Sequence, residues 1–317
     1  MSFKIIGTGS SHPKQSVRNA QLSEHIETDD EWITSRTGIS SRFICETETA
    51  ADLAADAAMK AMKAAGVAPR ELCYIICPTI GGDYVTPSLA SCLAGRIGAA
   101  CPAFDLNAAC TGYLYALSLS AGLLDSGAAK KILIVCAERM SNRVDWGDRG
   151  TCILFGDGAG ASVLTAGNSL RYIRLSTASD ITPINLPSAR GNCPFSPERE
   201  VPKYLQMDGP AVFRYAAKTI VAEALAALES LKISGNDVDY FLAHQANERI
   251  IENARRKLGQ DKEKFPTNIS RWGNTSSATI PILLDEMIEA GKIKKGMTLM
   301  LTAFGAGLTQ GCCVIEW

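Results

Sequence analysis

Three residues that could together handle an acyl group on sulfur are spread through this 317-residue chain. Cys110 stands in Asn107-Ala-Ala-Cys-Thr-Gly-Tyr-Leu-Tyr-Ala-Leu, His244 in Leu242-Ala-His-Gln-Ala-Asn and Asn274 in Trp272-Gly-Asn-Thr-Ser-Ser. Cys110 falls where an apolar strand pattern gives way to an apolar helix pattern. A helix start carries unpaired N–H groups and a partial positive charge, which favour a thiolate, and the thiolate is the nucleophile. A cysteine taken alone is more often a packed core residue. The small residues around Cys110, and the two partners, point instead to a nucleophile. Each partner has a plain alternative, a satisfied core histidine for His244 and a helix N-cap for Asn274.

Positioning these residues falls to an alternation of helix and strand patterns. Residues 49–65 read as an Ala-rich helix stopped by Gly66, 72–77 as a strand covered on both faces, and 88–97 as a helix. A strand at 103–106, an apolar helix at 110–126 closed by Gly127 and a buried strand at 132–136 follow, and Gly156-Asp-Gly-Ala-Gly leads into a strand at 161–164. The second half repeats this order. Val67 to Tyr74 matches Ile233 to Tyr240, Ile97-Gly98 matches Leu258-Gly259, Lys130-Lys131 matches Lys294-Lys295, and Phe155-Gly-Asp-Gly matches Phe304-Gly-Ala-Gly. The repeat predicts two similar α/β halves around a pseudo-dyad, residues 1–166 and 167–317. It also predicts that Cys110 and Asn274 occupy equivalent helix starts. His244 should lie at the carboxyl end of its strand, where α/β sheets gather their sites.

Composition narrows the function. A net charge of −1 gives no overall pull toward nucleic acid or membrane, and no apolar run reaches spanning length. The eleven cysteines show no zinc-type spacing, so no metal site is expected. Most lie in apolar runs, which suits a reducing, cytoplasmic setting. The N-terminus reads as a strand and lacks the apolar core of a signal peptide.

At 107–117, 244–247 and 273–277 the chain resembles the β-ketoacyl-acyl-carrier-protein synthase III family of thiolase-like condensing enzymes. The likeness extends to Ile5-Ile-Gly-Thr-Gly-Ser, Asp29-Asp-Glu-Trp-Ile, Ser35-Arg-Thr-Gly-Ile, Asp148-Arg-Gly-Thr, Phe155-Gly-Asp-Gly-Ala-Gly-Ala and Ala303-Phe-Gly-Ala-Gly, in order and over nearly the whole length. It implies a thiolase-like five-layered αβαβα fold, a homodimer and initiation of type II fatty-acid synthesis. An acyl-CoA primer would acylate Cys110. Malonyl-acyl-carrier protein would then lose CO₂ and attack the thioester in a ping-pong order. CoA thioesters would be substrates, with no resident cofactor.

The resemblance also distributes roles. His244 and Asn274 would donate hydrogen bonds to the malonyl thioester oxygen as the enolate forms. The amides of Cys110 and Gly307 would form the oxyanion hole, with a β-turn glycine as the alternative for Gly307. Trp32, Arg36 and Arg149 would hold the adenine end of CoA, and Gly209, Phe213, Ala246 and Asn247 would flank the pantetheine tunnel. Thr86, Phe155, Leu205, Met207 and Phe304 would shape the acyl pocket. Arg214, Arg249, Arg256 and Lys257 would receive the acidic carrier protein. Two departures from the family, Thr86 for a bulky aromatic and Gln310 for Trp, would leave a roomier pocket for longer or branched primers.

Other functions compete. A related acyl-CoA enzyme of secondary metabolism would use the same three residues. A papain-type hydrolase fits the order Cys, His, Asn but lacks the local cysteine signature. A phosphate loop at Gly156–Gly160 lacks the lysine and the following helix.

Overall fold

The computed structural model describes residues 2–188, 194–195 and 201–317. The first half contains β1 (Ser2–Ser11), α1 (Asp30–Thr37), α2 (Ala50–Ala65), β2 (Tyr74–Pro78) and α3 (Leu89–Ile97). It continues with β3 (Ala103–Leu106), α4 (Gly112–Asp125), β4 (Lys131–Arg139) and β5 (Asp157–Gly167). The second contains β6 (Leu170–Asp180), α5 (Gly209–Leu231), β7 (Tyr240–Ala243), α6 (Glu248–Lys257), α7 (Thr279–Glu289), β8 (Thr298–Gly305) and β9 (Gly307–Glu316).

Two main sheets result, ordered β1-β5-β4-β2-β3 and β6-β9-β8-β7, beside two short two-stranded ones. In the first, β2 runs parallel to both β3 and β4, and β5 and β1 follow antiparallel; in the second, β7 and β8 are parallel, and β9 and β6 follow antiparallel. The second sheet has no partner for β3. Burial sorts the helices into layers. α4 and α7 lie between the sheets, their Leu114, Leu117, Ile280 and Leu284 packed with Ile76 and Ile134 of one sheet and Leu242 and Leu301 of the other. α2 and α3 cover the outer face of the first sheet, and α5 and α6 that of the second. Helix, sheet, helix, sheet, helix makes five layers. Being buried on both sides, α4 is apolar around nearly its whole circumference, as a central-layer helix must be.

Local chemistry sets the close contacts. Thr49 caps α2 by accepting from the Asp52 amide, with Asp52 reaching back, and Gly66 ends it at φ 64°. Gly7 and Gly9 on β1 let the α2 backbone lie against the strand: a Cβ on Gly9 would meet Ala57 O at 2.5 Å and Ala61 N at 2.6 Å. The glycines of 156–160 serve packing too. The strand begins at Asp157, earlier than the predicted 161, and a Cβ on Gly160 would come within 2.7 Å of the Ile282 amide of α7. Sequence patterning places the other shared elements within a few residues but does not reveal α5, β6 or β9. None of the helices described is long and apolar enough to cross a membrane.

Gly9→Ala therefore forces apart two backbones. A loss of about 1–3 kcal/mol, the usual range for overpacking, is expected in chemical denaturation, whereas Gly66→Ala, where a Cβ meets nothing within 4 Å, is strained only through its φ.

Candidate active site

Cys110 lies in a short 3-10 turn, Ala109–Thr111, that precedes α4. The helix proper starts at Gly112, two residues later than predicted. Thr111 at its N-cap makes no side-chain cap bond. Ala109 has φ 47°, a left-handed conformation that a non-glycine residue adopts only under local constraint, and its amide donates to Asn107 Oδ1 at 3.2 Å. The same turn recurs before α7: Ser276 has φ 53°, and its amide donates to Asn274 Oδ1 at 2.8 Å. The matching pair is thus Asn107 and Asn274. The predicted equivalence of Cys110 with Asn274 is corrected, because the counterpart of Cys110 is Ser277.

A chamber of about 780 Å³ opens between the two halves, and Cys110, His244 and Asn274 all line it. Asn274 is fixed by its backbone. Its amide donates to Leu154 O at 2.8 Å, its carbonyl accepts from Gly156 at 3.1 Å, and it forms a parallel bridge with Phe155. With Oδ1 held by Ser276, the amide NH₂ is the end left to donate into the chamber. His244 follows β7 directly and is 1% exposed. Its Nδ1 lies 2.6 Å from Thr279 Oγ1, and its ring meets Phe304 edge-on at 5.4 Å. Burial lowers the His244 pKa to about 3, so the imidazole is neutral at physiological pH. Thr279 Oγ1 also lies 3.2 Å from Ser276 O; when its proton turns to the nearer His244 Nδ1, Nε2–H becomes the donor facing the chamber.

Cys110 departs from expectation in its ionisation. Its Sγ is half-buried and sits 3.6 Å from Ser276 Oγ. Burial pushes its pKa up to about 12, the Ser276 bond opposing this and the Glu138 charge adding to it. The resting group is a thiol, and the helix start alone does not yield a standing thiolate.

The oxyanion assignment also shifts. Gly307 is exposed, pairs with Asp180 and has φ 133°, the turn role named as its alternative. Gly305 and Ala306 line the chamber instead. A Cβ on Gly305 would meet the Cys110 amide nitrogen at 2.8 Å, so it is Gly305 that lets the end of β8 close on the nucleophile's backbone.

At the mouth, two guanidiniums lie over the Trp32 ring, Arg36 at 4.5 Å and Arg149 at 4.7 Å from its centre. Asn247 caps α6 through the Arg249 amide and donates to Arg36 O at 3.0 Å, tying α1 to α6. Gly209, Phe213, Ala246 and Asn247 line the chamber, as do Phe155, Met207, Phe304, Arg214 and Arg249. Three predicted neighbours do not. Thr86 is exposed on the surface, and Leu205 is buried in the apolar cluster that includes Phe155. Gln310 is bonded to Tyr215 Oη at 2.8 Å and Glu223 at 2.8 Å. None of them lines the chamber within a single chain. Arg256 is held by Glu252 at 2.5 Å, and Lys257 is exposed beside it.

Sequence reasoning missed Arg42, Glu138, Ser276 and Thr279. Arg42, fully buried, donates to Asn19 Oδ1 at 2.7 Å and to Ile153 O at 2.6 Å, bracing the turn that carries Phe155. Burial lowers its pKa to about 10, and it stays charged.

Comparison with known proteins gives the family. Residues 104–180 match the family model described as 3-oxoacyl-[acyl-carrier-protein] synthase III, and residues 228–317 match its C-terminal model. A β-ketoacyl-[acyl-carrier-protein] synthase III of Clostridium acetobutylicum is 42% identical over 100% of this chain and 99% of its own length. One of Campylobacter curvus is 40% identical over 100% and 97%. The crystal structure of 3-oxoacyl-[acyl-carrier-protein] synthase III from Aquifex aeolicus superposes with a TM-score of 0.92 at 38% identity, covering 99% of this chain and 100% of that one. A thiolase fold, a shared chamber for cysteine, histidine and asparagine, and full-length relatives of 40% and 42% identity together make this chain a member of the β-ketoacyl-[acyl-carrier-protein] synthase III family.

Proposed function

We propose that the protein starts type II fatty-acid synthesis by loading an acyl-CoA primer on Cys110 and condensing it with malonyl-acyl-carrier protein. The observation that carries this reading is the common chamber of Cys110, His244 and Asn274. In the first step the Cys110 sulfur attacks the acyl-CoA carbonyl. Breaking one thioester while making another is nearly balanced in energy, so positioning and proton placement govern the rate. The oxyanion is met by the Cys110 amide and by the backbone at Ala306, which replaces Gly307 in this role. In the second step CO₂ leaves the malonyl group and charge moves onto its thioester oxygen. Neutral His244 and the Asn274 amide donate to that oxygen, and the resulting carbanion attacks the acyl-cysteine. Neither donor has to titrate.

Trp32, Arg36 and Arg149 are suited to the nucleotide end of CoA, giving a flat face and two cations. The pantetheine arm runs past Gly209, Phe213, Ala246 and Asn247. The acyl group rests on Phe155, Met207 and Phe304. Exposed Arg214 and Arg249 at the mouth are the better docking cations for an acidic carrier protein, since Arg256 is already paired with Glu252. We place the division between the halves at residues 166 and 167, and we read the protein as a cytoplasmic homodimer needing no resident cofactor. The described cysteines are all free, in keeping with a reducing compartment.

The priming β-ketosynthase of the R1128 polyketide pathway, 31% identical with a TM-score of 0.90, supports a second reading, priming of a secondary-metabolite pathway. Single-turnover assays with malonyl-acyl-carrier protein and malonyl-CoA distinguish acceptors, and intact-mass measurement with a panel of acyl-CoAs identifies the primer. A chain that loads none of them is not a primer-loading synthase.

Two substitutions divide the steps. Cys110→Ala is expected to abolish the acyl-enzyme mass. Asn274→Ala is expected to load normally while condensation falls about 10²–10³-fold, the usual cost of one oxyanion donor. Poor loading with normal decarboxylation would reverse the assignment. Gly305→Ala is expected to slow loading strongly, because its Cβ displaces the Cys110 amide. Normal loading by that variant would remove the backbone at β8 from the oxyanion role.

A further inference from the structure

The chamber has two apolar walls. Trp32, Phe155 and Met207 belong to one hydrophobic cluster, and Val212, Phe213, Ala246 and Phe304 to another. Tyr215 of α5, given no part in the steps above, also lines the chamber and packs with the second cluster. That cluster contains the two side chains proposed to flank the pantetheine arm, Phe213 and Ala246. Phe155 and Met207, proposed to support the acyl group, stand in the first.

Tyr215 is the chamber end of a polar chain. Its hydroxyl donates to Gln310 Oε1 at 2.8 Å, and Gln310 Nε2 donates to Glu223 Oε1 at 2.8 Å. Arg174 donates to both Glu223 oxygens, at 2.9 and 3.1 Å. The directions are forced from the far end. A carboxylate paired with a guanidinium only accepts, so the Gln310 amide turns its NH₂ toward Glu223 and its oxygen toward Tyr215. Tyr215 must then donate, and its ring is held in one place.

A carboxylate is an expensive group to put here. Glu223 is 1% exposed, on the face of α5 that otherwise packs Ala216, Ile220, Ala224 and Ala227 against the sheet. Tyr215, Thr219 and Glu223 stand four residues apart and form one stripe of the helix. Buried ion pairs add little net stability over apolar packing, but a satisfied network admits a single register. The partners come from the two strands beneath, Arg174 from β6 and Gln310 from β9, and Gln310 stands opposite Phe304 in the β8–β9 pair. The register of α5 decides where its first two turns, from Gly209 to Tyr215, meet the chamber.

We propose that Tyr215 sets the fit of the pantetheine arm, and that Gln310, Glu223 and Arg174 position it by fixing α5 on the second sheet. Tyr215 touches the arm, and the other three act through it. They govern how tightly a pantetheine thioester is held rather than the transfer of its acyl group. CoA and carrier-protein donors share the arm, so both feel the effect.

The role rests on the CoA-thioester reading above, and binding alone tests it. Kd is measured by titration calorimetry for CoA and for adenosine 3′,5′-bisphosphate, its nucleotide without the arm. Tyr215→Phe and Gln310→Met should each weaken CoA about three- to tenfold, the loss of one neutral hydrogen bond, and leave the nucleotide unchanged. Combined, they should weaken CoA no more than either alone, since the hydroxyl acts through the amide. In loading assays the loss should fall on KM rather than on kcat. An unchanged Kd for CoA in Tyr215→Phe, an equal loss for both ligands, or additive effects of the two substitutions would overturn the proposal. Tyr215→Phe removes a single oxygen, so it decides the matter even where Gln310→Met fails to fold. A wild-type protein that binds CoA through the arm but loads no acyl group would count against the proposed function alone.

Discussion

The turn from Asn274 to Thr279 is the constraint on which the site depends. Asn274 supplies one donor, Ser276 touches the Cys110 sulfur at 3.6 Å, and Thr279 touches His244 Nδ1 at 2.6 Å. A single six-residue stretch therefore carries one of the three groups and contacts the other two, which arrive from distant parts of the sequence. It is in turn held by the opposite half, through Leu154 O, Gly156 N and Pro78 O. Its left-handed Ser276 is the cost of bending the chain so sharply, and the hydrogen bond from Ser276 to Asn274 Oδ1 offsets part of it. Neither half alone could keep this turn in place.

Burial sets the chemistry of the chamber's groups. Burial keeps His244 neutral, holds Cys110 as a thiol and lifts Glu138 toward neutrality, all by disfavouring the charged form. A neutral donor suits the enolate step, since its strength toward a developing oxyanion grows in low dielectric and it asks for no proton transfer. The same burial works against a standing thiolate. The acid side of stability follows from the same residue. His244 binds its proton more weakly folded than unfolded, so the unfolded state takes up protons first and stability falls as pH drops from about 6.5 toward about 3.

Much of this was legible from residue type and spacing. The periodic helices ending in glycine, the short buried strands and the order of the repeat specify local structure, and local structure is what a sequence writes most directly. Cys110, His244 and Asn274 stood out because their flanking residues are unusual for core positions. What failed was register and reach. Counting from Cys110 to Asn274 missed that the homologous turns begin at Asn107 and Asn274, since only the backbone angles at Ala109 and Ser276 mark the match. Gly307 was chosen over its neighbours because a glycine at a turn and a glycine at a close approach look alike in sequence. Within one chain Thr86 lies on the surface and Gln310 bonds Tyr215 under α5, positions that residue type alone does not reveal. Glu138 could have been flagged by one signal, a carboxylate within the apolar run Ile132-Leu-Ile-Val-Cys-Ala-Glu, where an unpaired charge has no reason to be.

The pseudo-symmetry gains meaning from where it breaks. Both halves build the same asparagine-anchored turn ahead of a central helix, and both aim it at the middle of the molecule. In the first copy the residue after the left-handed position is Cys110, placed at the chamber. In the second it is Ser277, placed on Glu138 at 2.8 Å. Duplication therefore supplies two equivalent positions at short range, and divergence gives one a nucleophile and the other a hydroxyl that holds the carboxyl. The asparagines have diverged in the same way. Asn107 is exposed, whereas Asn274 is 6% exposed and lines the chamber. A repeat of this kind explains how residues with no shared local motif come to act on one small group: the fold brings two copies of a turn together, and each copy has kept a different half of the chemistry.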